Sequence, residues 1–186
     1  MTVEEWLGKD NKLGIDIWEK KYRYNNESFD EWLDRVSGGD EKVKQLIQEK
    51  KFMFGGRTLS NRGTDKKGSM SNCYSRGFVK DNLEDLMQAA SDIAITFKAQ
   101  GGQGISLSKL RPKGCGINHG QFKSDGIIPF MEIYNRVTES ISQGGSRKGA
   151  LIMTLDAWHK EAREFITIKS EEGKIQKANL SLEIDD

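Results

Sequence analysis

Residue types that mark several common protein classes are scarce in this chain of 186 residues. It contains two cysteines, two histidines and two prolines. Two cysteines allow at most one disulfide, and neither Cys73 nor Cys115 belongs to a C-x-x-C pair, so a disulfide-rich scaffold is excluded. A zinc site would have to gather ligands scattered along the chain. We therefore predict no metal site and interpret His119 and His159 as structural, His159 on a surface helix.

Long apolar runs and an excess of one charge are also missing. No apolar stretch approaches the roughly 18 residues that cross a bilayer. The acidic start MTVEEWLGKDNK lacks the apolar core of a secretion signal. The 29 basic and 28 acidic residues give a net charge of +1, which argues against a general nucleic-acid binder. The sequence thus predicts a cytoplasmic protein without membrane or nucleic-acid partners.

Glycine is abundant, with 20 residues, and much of it lies in the clusters FGGRTLSNRG, AQGGQG, RPKGCGINHG and SQGGSRKG. Consecutive glycines let backbone N–H groups converge on a phosphate, and Arg147 in the last cluster adds a planar fork suited to phosphate or a base edge. No cluster matches the phosphate loop G-x-x-x-x-G-K-[ST] or the dinucleotide fingerprint G-x-G-x-x-G. Two interpretations of these glycine clusters are therefore kept, namely nucleotide binding and simple tight turns.

Hydrophobic spacing predicts a helical region over residues 1–53 and a glycine-rich connection over 54–72. Strands then alternate with helices, which predicts an α/β fold. The predicted strands cover 72–79, 104–110, 150–155 and 178–184, with the third buried. Since the chain stops after a strand without a helix to cover it, we expect the fold to be completed by sequence outside this chain.

Local signals predict where individual helices begin and end. Ser28 is expected to cap a helix in the N-terminal region. Asp81 and Glu84 form a D-x-x-E variant of the capping box at the start of the longest helix. That helix is expected to end in a left-handed glycine at Gly101–Gly102. Asp156 is expected to cap the helix that follows the third strand.

The thiol of Cys73 admits two interpretations. A lone cysteine is often a small core residue. It is reactive when it is exposed and its pKa is lowered. The polar flanks SMSNCYS make partial exposure plausible, so both interpretations are kept at this point.

Four motifs then occur together and in order: TLSNRGT…SNCYS, FKAQGGQGISLSKLRPKG, GIIPFMEIYNRVTESISQGGSRKGALIMTLDAWH and EFITIKSEEGKIQKANLSLEI. Together they resemble the N-terminal part of the catalytic subunit of ribonucleotide reductases. The resemblance covers about residues 12–186 and is most specific over 54–184. It implies an N-terminal helical region over 1–53. Residues 54–186 would then form the first part of a ten-stranded α/β barrel of two parallel half-sheets, incomplete in this chain.

The resemblance implies an enzyme that reduces the ribose 2′-OH of ribonucleotides by radical chemistry. Cys73 matches the first cysteine of the redox pair, whose thiolate supplies electrons and becomes part of a disulfide. Thr58 matches a hydroxyl that contacts the substrate phosphate. The remaining implied substrate contacts are Ser71, Asn72, Gly101 and Gly102.

The resemblance also implies a site for an allosteric deoxynucleotide, which determines the choice of substrate. Asp81 matches the carboxylate that binds the effector ribose, and Arg111 matches an arginine that holds its phosphates. Gln143 and Arg147 lie in the matching second specificity loop, which would relay effector identity to the substrate pocket. Glycine suits such a loop, because it must change shape with each effector.

Cofactors and partners follow from the same resemblance. The effectors would be dNTP or ATP, and the reductant thioredoxin or glutaredoxin. The radical would come from adenosylcobalamin, which we favour, or from a di-metal partner subunit. The chain is expected to form a homodimer through its effector-site helices.

The radical-bearing cysteine and the second redox cysteine of the family have no match in this chain. We therefore expect it to need a C-terminal half and to be a split-gene half, an intein-type fragment or a truncated piece. The alternatives are a stand-alone nucleotide-binding regulatory protein without catalysis, and a phosphate-binding structural module whose glycine loops are only turns.

Overall fold

The computed structural model describes residues 1–117, 119–143, 147–170 and 172–185. The chain divides into two compact units, Met1–Asn72 and Cys73–Asp186. The first unit is helical and the second is α/β, in agreement with the order of classes predicted from the sequence. The domain boundary predicted at residue 54 stays a prediction.

The first unit is built from short helices. They are α1 (Val3–Leu7), α2 (Lys12–Ile17) with a π-helical turn (Trp18–Tyr22), α3 (Phe29–Ser37), α4 (Glu41–Gln48) and α5 (Gly56–Asn61). Ser28 caps α3 as predicted, because its side chain accepts the Glu31 N–H while the Glu31 carboxylate accepts the Ser28 N–H at 2.7 Å. Helix α5 lies in the predicted connection. It has no side-chain cap, so the sequence carries no start signal for it.

Aromatic side chains form the core of this first unit. The rings of Phe29 and Trp32 stack with centroids 5.4 Å apart. The ring of Trp18 meets Trp32 edge-on at 6.3 Å. The indole N–H of Trp6 reaches the carbonyl of Ile47 at 3.2 Å, which joins α1 to the end of α4. Large rings thus give a small helical unit a buried core.

The second unit contains a four-stranded parallel sheet in the order β1-β2-β7-β8. Its strands are β1 (Cys73–Phe78), β2 (Gly102–Ser106), β7 (Leu151–Asp156) and β8 (Ala178–Glu183). Between them lie α6 (Leu83–Lys98), α7 (Ile128–Ser140), α8 (Ala162–Thr167) and a 3₁₀ turn (Ile168–Ser170). Two short antiparallel pairs complete the unit, β3 (Gly116–Ile117) with β4 (Phe122–Lys123) and β5 (Ser142–Gln143) with β6 (Arg147–Lys148).

One hydrophobic cluster joins the helices to the sheet. Ile93 of α6, Tyr134 of α7 and Met153 of β7 are fully buried in it. Strand β7 alternates between buried and more exposed residues, and Ile152 is 40% exposed. The prediction of a wholly buried third strand was therefore wrong, because within the described residues the second face of β7 is only partly covered.

The boundaries of α6 differ from the predicted ones. Its cap is Asn82, whose side chain accepts the Asp85 N–H at 2.8 Å, so the predicted Asp81–Glu84 box is wrong by one residue. Asp81 instead accepts a hydrogen bond from Arg111. After α6, the left-handed residue is Gln100 with a φ of 67° rather than a glycine.

Other predicted boundaries also shift. Asp156 does not cap a helix but ends β7, and α8 begins only at Ala162 without a side-chain cap. Strand β2 stops at Ser106, and a turn closed by the Leu110 N–H on the carbonyl of Leu107 follows. In the described residues, no helix has the length and apolar character that spanning a membrane requires.

Candidate functional site

The expected redox cysteine lies where three parallel strands begin. Cys73, the first residue of β1, pairs in register with Gly102, the first residue of β2. The carbonyl of Ala150, just before β7, accepts the Gln103 N–H at 2.9 Å. A Cβ added to Gly102 would lie 3.3 Å from both the Cys73 Sγ and the Ala150 oxygen. An exposed thiol is therefore next to a stretch of backbone without side chains.

Close contacts explain why glycine occupies this edge of the sheet. A Cβ on Gly101 would lie 2.7 Å from the ring of Tyr74, and one on Gly149 would overlap the ring of Phe97. None of Gly101, Gly102 and Gly149 has a positive φ. At Gly101 and Gly149 the absent side chain makes room for the rings of Tyr74 and Phe97, whereas at Gly102 the bare backbone lies beside the Cys73 thiol.

Three predicted substrate contacts lie together in the first unit. The Thr58 hydroxyl on α5 donates to the carbonyl of Met70 at 3.1 Å. The Ser71 N–H donates to the Ser69 hydroxyl at 2.9 Å, and Asn72 follows directly. The segment 69–72 is thus fastened to α5 through Thr58. Cys73, Gly101 and Gly102 belong to the second unit.

Two predicted effector contacts, 30 residues apart in sequence, form an ion pair. The Nε of Arg111 donates to the Asp81 carboxylate at 2.5 Å, and its Nη1 donates to the Gly116 carbonyl at 3.1 Å. Both side chains of the pair are about one-third exposed. This arrangement provides a carboxylate that can accept hydroxyl hydrogen bonds beside a guanidinium that can bind phosphate.

Gln143 and Arg147 are backbone partners in the β5–β6 pair, but their side chains lie outside the described residues. This pair leads to Gly149, which contacts Phe97 in the last turn of α6. Asp81 precedes the first turn of the same helix. Helix α6 has 16 residues and is therefore about 24 Å long. Within one chain, the two parts of the expected effector site lie at opposite ends of α6.

Sequence reasoning missed a charged network centred on Arg76 of β1. Its guanidinium donates to the Asp85 carboxylate at 2.8 and 3.1 Å and to Asp92 at 2.8 Å. The hydrogen bonds that Asp85 accepts from Arg76 and from the Lys80 N–H lower its pKa to about 2, and Arg76 also lowers the pKa of Asp92. The sequence contains a signal for this network, because Asp85 and Asp92 are two turns apart and lie on one face of α6, where they can share a basic partner.

Sequence reasoning also missed Glu161, a carboxylate that is 6% exposed. It accepts backbone N–H groups from Lys113 and Ile127. His159 lies in the turn before α8, not on a helix, although its ring is structural as expected. Its Nδ1 accepts the Glu161 N–H at 3.2 Å, so Nε2 carries the proton towards the Leu110 carbonyl at 2.9 Å. No local pattern reveals these partners, which lie 34 to 49 residues away.

Across the described ranges, no group of three or more His, Cys, Asp or Glu side chains is arranged to hold a metal ion. The site is therefore defined by the thiol edge of the sheet and by the Asp81–Arg111 pair. These two features lie apart, because Cys73 is located where β1 begins, whereas Asp81 and Arg111 follow the ends of β1 and β2.

The architecture of the chain is found in a solved protein. It is similar to the α subunit of a class Id ribonucleotide reductase from Actinobacillus ureae, with a TM-score of 0.80 and 22% identity. The match covers 97% of this chain and 34% of that subunit. The fold is thus part of the α/β barrel of such subunits, as the sequence predicted.

Sequence comparisons agree. The family profile described as "Ribonucleotide reductase, barrel domain" matches residues 71–186. A vitamin B12-dependent ribonucleoside-diphosphate reductase from Thermoplasma acidophilum is 30% identical over 98% of this chain and 25% of its own length. The large chain of a ribonucleoside-diphosphate reductase from Cryptosporidium parvum is 34% identical over 70% of this chain and 16% of its own. The chain belongs to the ribonucleotide reductase family, and it spans a quarter or less of these relatives.

Proposed function

We propose that this chain acts as the N-terminal part of a ribonucleotide reductase catalytic subunit and needs a C-terminal part for turnover. The observation that supports this most directly is the exposed Cys73 thiol beside the bare backbone of Gly102. Reduction at C2′ releases the hydroxyl as water, while two thiols give up two electrons and two protons and become a disulfide. Cys73 would supply one thiol, and the second would come from sequence outside this chain.

The test is reconstitution with a complementary C-terminal chain, a dithiol reductant and ribonucleoside di- or triphosphate. Deoxyribonucleotide should form in the presence of one radical source, so adenosylcobalamin and a di-metal subunit are added in turn. Cys73→Ser should abolish turnover, and Cys115→Ser is the matched control that should retain it. Equal loss in both variants would contradict the redox assignment. Binding of dNTP without any turnover would favour the regulatory protein instead.

We further propose that Asp81 and Arg111 bind the ribose and phosphates of a dNTP effector. Their ion pair is only partly covered, so a nucleotide can reach it and replace its hydrogen bonds. Asp81→Ala and Arg111→Ala should weaken dNTP binding and blunt substrate choice. Arg136→Ala, which removes an exposed arginine of α7, should change neither. Unchanged substrate choice in the first two variants would place the effector elsewhere.

A homodimer is part of this proposal. Because Asp81 and the β5–β6 pair lie at opposite ends of α6, one nucleotide cannot contact both in a single chain. A second copy running antiparallel would bring the start of one α6 near the end of the other. Helix α6 also exposes Leu83, Met87 and Ile95, which are 63%, 47% and 63% exposed and lie in one stripe.

Sedimentation in the presence of dNTP tests the dimer. Ile95→Glu should give a monomer and weaken dNTP binding, whereas Glu84→Gln on the same helix should leave the dimer intact. A monomeric wild-type chain that still binds dNTP tightly would refute this arrangement. Thioredoxin or glutaredoxin as reductant and a cytoplasmic location remain predictions from the sequence.

A further inference from the structure

The described residues of the segment 111–126, which are 111–117 and 119–126, form a hairpin that carries the candidate phosphate contact. Its stem is closed by the Gly114 N–H on the Ser124 carbonyl and by the Ser124 N–H on the Cys115 carbonyl, both at 2.8 Å. The pair β3–β4 continues the stem. Since Arg111 donates to the carbonyl of Gly116, its orientation depends on where this hairpin lies.

A single buried carboxylate contacts both ends of that hairpin. Glu161 Oε2 accepts the Lys113 N–H at 3.1 Å and the Ile127 N–H at 3.2 Å. Lys113 directly precedes the stem, and Ile127 directly follows the hairpin. Gly126 has a φ of 84°, and a Cβ there would overlap the Glu161 carboxylate. The glycine thus leaves the space that this carboxylate fills.

The turn that carries Glu161 is itself attached to the segment before the hairpin. The His159 ring contacts the carbonyl of Leu110 at 2.9 Å, and the Asp156 N–H donates to the Ser108 hydroxyl at 2.8 Å. Residues 156–161 and 108–113 are therefore joined at three points. Such a connection restricts the motion of the hairpin base relative to the sheet.

We propose that Glu161 is a positioning residue for the effector site. By joining Lys113 to Ile127, it fixes the hairpin base and keeps Arg111 directed towards Asp81. Hydrogen bonds to an ionised carboxylate are about twice as strong as neutral ones, which suits this role. The inference rests on the proposed function, because Arg111 is the effector contact only in that reading.

Amide hydrogen exchange tests the contact itself, without any nucleotide. In Glu161→Ala, the Lys113 and Ile127 amides should exchange at least about tenfold faster, since each loses a hydrogen bond to a charged acceptor. In Glu161→Gln, which keeps one oxygen, the increase should be smaller. Exchange in β7 should stay unchanged in both variants, and Glu164→Ala, on the exposed side of α8, should change neither region. Equal acceleration in β7, or none at Lys113 and Ile127, would overturn the proposal.

Binding of dATP, dGTP and dTTP then tests the link to Arg111. Glu161→Gln should raise the dissociation constant of the tightest of these roughly tenfold, as loss of one charge-assisted bond does. In an Arg111→Ala background it should have no further effect, whereas a merely structural residue would give additive losses. If the losses in dNTP affinity caused by Glu161→Gln and Arg111→Ala add up in the double variant, Glu161 does not position Arg111. If the wild-type chain binds none of the three, the proposed effector site fails and this role fails with it, while the exchange result still decides the contact alone.

Discussion

The Arg76 network gives a prediction whose size follows from the structure. Replacing Arg76 by Met keeps an apolar stem but removes the hydrogen bonds to Asp85 and Asp92. Arg76 and Asp85 are 16% and 19% exposed, so water replaces these bonds only partly. We expect the second unit to lose about 2–3 kcal/mol of stability at pH 7, the range for hydrogen bonds between charged and partly buried groups.

The pH dependence of this loss has a definite sign. The pKa of Asp85 is lowered to about 2 in the folded chain. Its contribution to stability is therefore fully present above the ordinary carboxyl pKa of about 4 and disappears as the pH falls towards 2. Allowing for solvent screening, we expect this contribution to be on the order of 1–2 kcal/mol. In Arg76→Met most of this Asp85 contribution should be missing. The free energies of unfolding of wild type and variant, plotted against pH, should therefore converge at low pH.

Urea unfolding between pH 7 and pH 2.5 measures the free energy of unfolding of wild type and Arg76→Met. The methyl signals of Ile93 and Met153 report on the second unit, because both side chains are fully buried there. Arg136→Met is the control, since Arg136 forms an exposed ion pair with Glu139 and its loss should cost less than about 0.5 kcal/mol. Parallel curves for wild type and Arg76→Met, or equal losses in the two variants, would refute the reasoning.

Three further substitutions test other contacts by urea unfolding, and the methyl signals of Leu33 and Val36, fully buried in the first unit, report on that unit. Gly149→Ala should destabilise the second unit by about 1–3 kcal/mol, because the new methyl group overlaps Phe97. Adding Phe97→Leu should recover part of this stability. If it recovers none, the contact with Phe97 is not the cause of the loss. Tyr134→Phe removes the buried hydrogen bond to the Leu86 carbonyl, 3.0 Å long, and should cost about 1 kcal/mol; an unchanged midpoint would mean that this bond is not made. Ser28→Ala should cost the first unit about 1 kcal/mol through loss of its cap, whereas Ser28→Asn should retain stability.

The sequence predicted the features that depend on short-range order. The helix cap at Ser28 was confirmed because both partners of a capping box lie within four residues. The alternation predicted along 178–184 was confirmed over Ala178–Glu183, where Ala178 is buried and its neighbour Asn179 is exposed, whereas Ile184 lies beyond β8 and is exposed. The order of motifs also sufficed to identify the family. The cap and the alternation are each contained in a few consecutive residues, and the family is indicated by the order of such short motifs along the chain.

The errors lie where distant residues decide between local options. Asp81 and Asn82 are both acceptable helix caps, and the ion pair with Arg111 leaves the cap to Asn82. Likewise, the glycine at position 101 suggested a left-handed turn, but the approach of Tyr74 is what excludes a side chain there. Single-sequence patterns contain neither contact.

The sequence by itself therefore determined the class of the chain and the alternation of strands and helices, and it predicted which residues would carry thiol and nucleotide chemistry. The tertiary structure alone decided that Cys73 meets Gly102, that Asp81 meets Arg111, and that Glu161 joins the two ends of a hairpin. The reason is physical. Helix periodicity and capping act over a few residues, whereas the parallel sheet brings together residues that are 29 to 48 positions apart.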